Sequence, residues 1–214
     1  FRKRPLDSKL AASAGKDLIT EDKVLSAIKK MAKGKSPGPD SLPAEFYQAF
    51  GSALAPILTR VLQETRERNA LPETMRDGEI ILLYKKADPA DIRNYRPITL
   101  LNVDYKILAK VLVEGFKPII DHLISSAQNG FCPGRSIFAN VHLCNLLQSY
   151  LNDTDDEGLL IFLDMEKAFD RVNWGYLHGA LRALKVPDEL REWVGILYDE
   201  HRTPQRRVMV NGHL

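Results

Sequence analysis

Leu159-Leu160-Ile161-Phe162-Leu163-Asp164-Met165-Glu166-Lys167-Ala168-Phe169-Asp170 is the stretch on which the reading of the fold turns. Its five apolar residues follow an acidic turn (Asp153, Asp155, Asp156, Glu157, Gly158) and run into an aspartate. That pattern predicts a short buried strand closed by Asp164. In strand alternation Asp164 shares a face with Leu160 and Phe162. An ionised carboxylate on such a face is costly unless it meets a cation or hydrogen-bond donors. A magnesium ion, held by one or two carboxylates and by substrate phosphates, is one such cation. The other account is structural, with Asp164 capping the segment that follows. These twelve residues alone leave both open.

Outward from this stretch the periods change. On the C-terminal side, Asn173 and Asp188 are predicted to cap two helices, the second with Trp193, Val194 and Leu197 facing inward. Residues 206–210 read as extended and run into Asn211-Gly212, a hairpin signal with only His213 and Leu214 after it. A cut from a longer chain is therefore expected. On the N-terminal side, Ser136 is predicted to cap a helix with Val141, Leu146, Leu147 and Tyr150 inward, and 128–135 is a glycine- and proline-bearing loop. Asp104 is predicted to cap a helix whose inner face is Tyr105, Leu108, Val111 and Leu112. Residues 79–84 and 95–101 read as two strands joined by the turn-rich 87–91. Further back come a helical stripe (Leu54, Ile57, Leu58, Val61, Leu62, Thr65), a short helix through Phe46 and Tyr47 to Gly51, and a tight loop at 35–40. The first predicted helix starts at the N-cap Thr20, has Ile19 and Val24 placed as a staple, carries Lys29, Lys30 and Lys33 in its last turn, and ends at Gly34. Residues 1–18 show no period and form a loose lead-in.

The 214 residues are 44% hydrophobic and 27% charged, which suits a globular chain and excludes a disordered one. Two cysteines make no disulfide framework, so a reducing compartment is expected. Apolar runs stop at about five residues, far short of the roughly 20 that span a bilayer. No signal peptide is readable after Phe1-Arg2-Lys3-Arg4. The formal charge is only +2, but its distribution is uneven. Residues 1–40 hold ten Lys or Arg against five acids, while 151–170 hold seven acids against Lys167 alone. Basic flanks around an acidic centre fit either a polyanion-binding protein that needs carboxylates at one point, or solvated helix faces.

Two more segments could carry chemistry. Lys85, Lys86, Arg93 and Arg96 crowd the predicted hairpin, where they suit a triphosphate or nucleic-acid backbone, or simply line a solvated rim. In Gln128-Asn129-Gly130-Phe131-Cys132-Pro133-Gly134-Arg135, glycines beside an arginine permit close approach to a nucleic-acid strand, and a plain interhelix turn explains them equally well. Cys132, His142 and Cys144 do not have the spacing of a structural zinc site.

Taken in order, Gly34-Lys35-Ser36-Pro37-Gly38-Pro39-Asp40, Pro43-Ala44-Glu45-Phe46-Tyr47, Asn94-Tyr95-Arg96-Pro97-Ile98-Thr99-Leu100-Leu101-Asn102, Gln128-Asn129-Gly130-Phe131 and 162–172 resemble the reverse transcriptases of non-LTR (LINE-like) retrotransposons. The resemblance covers about residues 19–214. It implies an α+β, right-hand polymerase fold, in part: helical fingers with a β-hairpin and fingers–palm connection over 19–157, then the first palm strand and helices over 158–214. By the resemblance, Asp164 is the first metal-binding aspartate and Mg2+ the cofactor of a complete enzyme. Residues Met165, Glu166, Lys167 and Ala168 lie under the incoming triphosphate, and Phe169 is the steric gate against a ribose 2′-hydroxyl. Lys86 (or Lys85, the register being open) and Arg96 grip the β and γ phosphates. Gln128, Gly130, Phe131 and Arg135 are candidate template contacts, and Asp170 is expected to make a structural bond.

The resemblance also shows departures. The Tyr/Phe-x-Asp-Asp hairpin and the Gln-Gly motif of the family are absent, and Tyr198-Asp199-Glu200 falls on a predicted helix instead. Glu114-Gly115-Phe116 stands where relatives carry Asn-Arg-Leu, which suggests relaxed constraint at Gly115. Two functions follow as expectations. One is the N-terminal portion of an RNA-directed DNA polymerase that uses an RNA template, a DNA primer and dNTP, inactive as residues 1–214 alone. The other is a domesticated remnant serving as a structural or RNA-binding component among RNA or protein subunits of a larger assembly. Either is intracellular, and nuclear for a retroelement enzyme, with no membrane partner.

Overall fold

Thr20 sits in extended conformation, and its Oγ1 accepts the backbone N–H of Lys23 at 3.4 Å, so α1 (Glu21–Lys29) begins at the expected cap. It stops at Lys30, before Lys33 and Gly34, where the bonding tightens to i→i−3, with the Lys30 N–H shared onto the Ala27 carbonyl and the Met31 N–H on the Ile28 carbonyl. Leu6, residues 14–154, 157–199 and 206–209 are described by this computed structural model. Phe50 then separates α2 (Ala44–Ala49) from α3 (Gly51–Glu67), and α4 (Glu73–Arg76) leads into β1 (Gly78–Tyr84). After β2 (Tyr95–Leu101) come α5 (Val103–Phe116), α6 (Ile120–Leu123) and α7 (Phe138–Thr154). The remaining elements are α8 (Trp174–Ala183), α9 (Asp188–Leu197) and β3 (Arg206–Met209). The class is α+β, as expected.

The core lies where α1, α3, α5 and α9 meet. Val24, Ile28, Leu62, Ile107, Leu108, Val111, Leu190 and Trp193 are buried there. Each buried aliphatic side chain contributes about 1.5–3 kcal/mol relative to exposure. On α3 the inner face is Ala55, Thr59, Leu62 and Thr65, while Ile57 points outward. The two threonines can be buried because each hydroxyl donates to a carbonyl one turn earlier, Ala55 and Val61. Arg66 ties α3 to α9 by ion pairs of 2.9 Å to Glu189 and 3.0 Å to Glu192.

The sheet has the order β2-β1-β3, with β1 central. β1 runs antiparallel to β2 from Gly78↔Leu101 to Tyr84↔Tyr95, and parallel to β3 from Gly78↔Arg206 to Ile81↔Met209. The extended reading of 206–210 is therefore met over the four residues described; the Asn211-Gly212 turn lies outside the described residues.

Several expectations need correction. Asn102, not Asp104, is the N-cap of α5, and Asp104 lies in its first turn accepting the Tyr105 N–H. Pro187, not Asp188, is the N-cap of α9, since its fixed φ suits a helix entrance. Asn173 does cap α8, accepting the Tyr176 N–H at 2.8 Å. On α7, Val141, Leu146, Leu147 and Tyr150 are exposed rather than inward, and no α7 residue is buried. The stretch 159–163 is not a strand in the sheet, and Phe162 and Leu163 are 80% and 88% exposed. The reason is the same in both cases. Apolar periodicity reports that a segment can be buried, not what buries it. Both edges of β1 are taken by β2 and β3, so that sheet offers 159–163 no ladder along its central strand.

Candidate functional site: a basic hairpin, a clamped loop and an open aspartate

The β1–β2 connection is stiff because its own side chains knit it. The Lys85 N–H donates to the Asn94 carbonyl, the Asn94 amide to the Asp88 carbonyl, and the Tyr84 and Tyr95 hydroxyls to the carbonyls of Ala87 and Pro89. The two tyrosine rings pack edge to face at 5.5 Å. Arg93 is drawn into this scaffold: its guanidinium pairs with Asp91 at 2.7 Å, which holds the Asp91 carboxyl below the usual range. Lys85, Lys86 and Arg96 are left exposed, with no ion pair among the described residues. Arg96 lies directly across from Leu83 in the ladder, so strand register fixes where its side chain leaves the sheet.

The 128–135 loop is clamped from within. Arg135 donates to the Ser125 and Gln128 carbonyls and pairs with Asp121 at 2.7 Å. The Gln128 side chain donates to the Gly130 carbonyl. Phe131 has φ +59° and is 99% exposed, an uncommon combination of a left-handed backbone with an unsupported aromatic ring. Arg135 and Gln128 thus hold the loop, while Phe131 is the residue it displays.

Asp164 follows 157–163, which has no regular secondary structure, and is exposed, with no hydrogen bond or ion pair among the described residues. A tight turn follows: the Arg171 N–H meets the Lys167 carbonyl, Lys167 has φ +51°, and Glu166 pairs with Arg171 at 2.8 Å. Met165 and Phe169 are open to solvent. Asp164 is not an N-cap, because a turn and not a helix follows it. Asp170 makes no structural bond among the described residues. No hydrogen bond or ion pair among them joins this turn to the hairpin.

Sequence reasoning missed the residue that ties the first motif to the strand carrying Arg96. Asn102 is 3% exposed; its Oδ1 accepts the Asp40 N–H at 3.2 Å and its Nδ2 donates to the Thr74 carbonyl at 2.8 Å. The 35–40 loop comes so close that a Cβ on Gly38 would stand 2.3 Å from that Oδ1. Lys106 adds a donor to the Ser36 carbonyl. Asn102 was visible as the last residue of a matched stretch, but nothing local distinguishes a clasp from a cap. Nearby, burial raises the Asp104 carboxyl above its usual value, with Asp40 adding to it, and burial raises the Tyr47 hydroxyl. Both groups are therefore held toward their neutral forms.

Gly115 needs a different reading from relaxed constraint. A Cβ there would lie 2.3 Å from Leu18 Cδ1 and 3.2 Å from Leu190 Cδ2. Leucines from two other segments pack on α5 at this glycine, so any side chain there would make Leu18 shift.

Residues 84–213 match the family model described as reverse transcriptase (RNA-dependent DNA polymerase), which is more than half of the chain. The chain belongs to the reverse transcriptase family. The match takes in the β1–β2 connection, β2, the clamped loop and Asp164, whereas β1 up to Leu83 and the 34–47 motifs lie upstream of it. Over 196 residues, 92% of this chain, it is 38% identical to the Transposon TX1 uncharacterized 149 kDa protein of Xenopus laevis. It is 26% identical over 159 residues, 72% of the chain, to the probable RNA-directed DNA polymerase from transposon BS of Drosophila melanogaster. It is 24% identical over 196 residues, 90% of the chain, to the Pol polyprotein from type-1 retrotransposable element R2 of Nasonia vitripennis. These stretches are 15%, 17% and 18% of the relatives' own lengths. The resemblance to reverse transcriptases of LINE-like elements is thus borne out, and the α+β chain is a part of that polymerase fold.

Proposed function

We propose that this chain forms the fingers and first part of the palm of an RNA-directed DNA polymerase that extends a DNA primer on an RNA template. The observation that carries the reading is Asp164. It lies inside the family match, and its carboxylate is open and unpaired among the described residues, while Glu166 beside it is engaged by Arg171. Free oxygen donors are what a hard divalent ion takes. No group of three His, Cys, Asp or Glu side chains that could hold a metal is assembled among the described residues. In this reading Asp164 supplies one ligand, and the family's Tyr/Phe-x-Asp-Asp carboxylates would supply others. When bound there, Mg2+ would neutralise charge on the attacking and leaving oxygens of nucleotidyl transfer. The residues of this chain have separate tasks. Asp164 orients the site, Lys86 (or Lys85) and Arg96 bind the triphosphate from the hairpin, and Phe169 excludes a 2′-hydroxyl. Residues 165–168 run beneath the triphosphate, and Phe131 with Gln128 and Gly130 meets the template strand from a loop that Arg135 holds in shape.

Primer extension by a full-length polymerase carrying this chain tests the assignment. Asp164→Asn is expected to abolish extension while primer–template binding persists; extension at the parent rate would reject it. In the same enzyme Phe169→Val is expected to admit ribonucleotides at least tenfold more readily. Unchanged sugar discrimination would remove Phe169 from the gate.

The domesticated-remnant reading drew on the family motifs absent from this sequence and, second, on Gly115 as a sign of relaxed constraint. With Leu18 and Leu190 packed on that glycine, the sign is gone.

A further inference from the structure

The hairpin carries Lys85, Lys86 and Arg96 at its tip and is fastened at its base. Arg96 stands six residues before Asn102, which at the rise of a strand sets the two about 20 Å apart. β3 runs beside Gly78–Ile81 alone, so the outer part of β1, Leu82–Tyr84, has only β2 for a neighbour among the described residues. At that length a tilt of about 3° at the base carries the tip through about 1 Å, twice the roughly 0.5 Å range over which an N–H···O bond holds. Asn102 sits at that base. Its Nδ2 donates to the Thr74 carbonyl of α4, which leads into β1, and Asn102 itself follows the last residue of β2. Its Oδ1 takes the Asp40 N–H, so the 34–40 loop is fastened at the same point. That loop is tied in turn to two helices: the Gly34 N–H donates to Glu45 Oε1 of α2 at 2.6 Å, and Lys106 of α5 donates to the Ser36 carbonyl. The seat is close, because a Cβ on Gly38 would stand 2.5 Å from the Leu101 carbonyl carbon, a backbone atom that cannot swing aside.

Helix capping does not account for this side chain. Asn102 is the N-cap of α5, yet its side chain makes no capping bond to that helix. At 3% exposed, its amide is given instead to Asp40 and Thr74. The two bonds need an acceptor on one side and a donor on the other, which an amide supplies and a carboxylate does not. We infer that Asn102 is a positioning residue for nucleotide binding: it sets the angle of the β1–β2 hairpin against the helical core and, through Arg96 and Lys86 (or Lys85), the place where the triphosphate is held. The inference rests on the proposed role of the hairpin in gripping the triphosphate, and it adds a residue that touches no substrate.

The experiment is single-nucleotide primer extension by a full-length polymerase carrying this chain, with KM for dNTP and kcat measured separately and active molecules counted by the burst amplitude. Asn102→Asp keeps an oxygen for the Asp40 N–H and sets another against the Thr74 carbonyl. It is expected to raise KM for dNTP at least fivefold, with kcat per active molecule and primer–template affinity each within about twofold of the parent, the pattern of lost substrate binding. A merely structural role would lower the active fraction and leave KM where it was, and that result would overturn the inference. Asn102→Ser, which brings in no charge, decides the matter should Asn102→Asp not fold; at least a threefold rise in KM is expected, and the parent KM would overturn the inference. Arg96→Ala separates this inference from the reading beneath it. A raised KM in Arg96→Ala beside an unchanged KM in the Asn102 variants removes Asn102 alone, whereas the parent KM in Arg96→Ala removes the hairpin's role and the inference with it.

Discussion

At the residue scale, position 115 shows why composition alone misleads. A glycine in a helix costs about 1 kcal/mol against alanine on propensity alone. Here packing opposes that propensity, because an alanine methyl would meet Leu18 Cδ1 at 2.3 Å and make that side chain move. Gly115→Ala is expected to destabilise the chain by about 1–3 kcal/mol, the usual range for overpacking. Thermal unfolding checks this, and an unchanged or raised melting temperature would contradict it. Asp104 gives a pH-dependent counterpart. Its carboxyl is raised by burial, so the folded state penalises the charged form at neutral pH. That penalty is full above the folded pKa and fades as pH falls through it, when the folded protein takes up a proton. Asp104→Asn keeps an oxygen to accept the Tyr105 N–H. It is expected to melt higher than the parent at pH 7, with the gap closed below the ordinary aspartate value of about 3.9. A gap that is constant with pH would show that charge burial is not the cause.

Elements were legible where the sequence carries its own closing signal. Thr20, Asn173 and the 79–84 and 95–101 runs each contain the residues that complete them: a cap oxygen, or a partner strand a short turn away. Ser136 gives α7 such a signal, its Oγ accepting the Phe138 N–H at 3.3 Å, but the apolar faces read for α7 and for the 159–163 run are exposed. The clamped loop is an intermediate case. Its turn character was readable from Gly130, Pro133 and Gly134, but the use of Arg135 as an internal strut was not, because Ser125 and Asp121 approach it only in three dimensions. Arg135→Ala is expected to speed proteolytic cleavage within 128–135 several-fold while helical circular dichroism stays unchanged. Cleavage at the parent rate would show that the loop holds its shape without the guanidinium.

Across the whole molecule, the order of motifs was enough to place the chain in its family, and the helical core enclosed by α1, α3, α5 and α9 could be anticipated from helical stripes. The assembly of the site was not legible in the same way. Lys86 and Arg96 belong to the hairpin while Phe131 and Asp164 stand on separate loops, and no local period encodes how these segments are placed relative to one another. Asn102 was harder still, since a strand-end asparagine looks alike whether it caps a helix or clasps the 35–40 loop. Residues 1–214 alone are expected to show no magnesium-dependent primer extension, because Asp164 by itself holds too little of a two-ion site; detectable extension would contradict that.

The central claim is that Asp164 binds a divalent ion beside the incoming nucleotide. Manganese binding, followed by electron paramagnetic resonance in a full-length polymerase carrying this chain with primer–template and dNTP, tests it most directly. The expected result is that Asp164→Asn weakens nucleotide-dependent manganese binding at least tenfold, while Asp170→Asn leaves it within about twofold. Equal manganese affinity in the parent and Asp164→Asn would contradict the account.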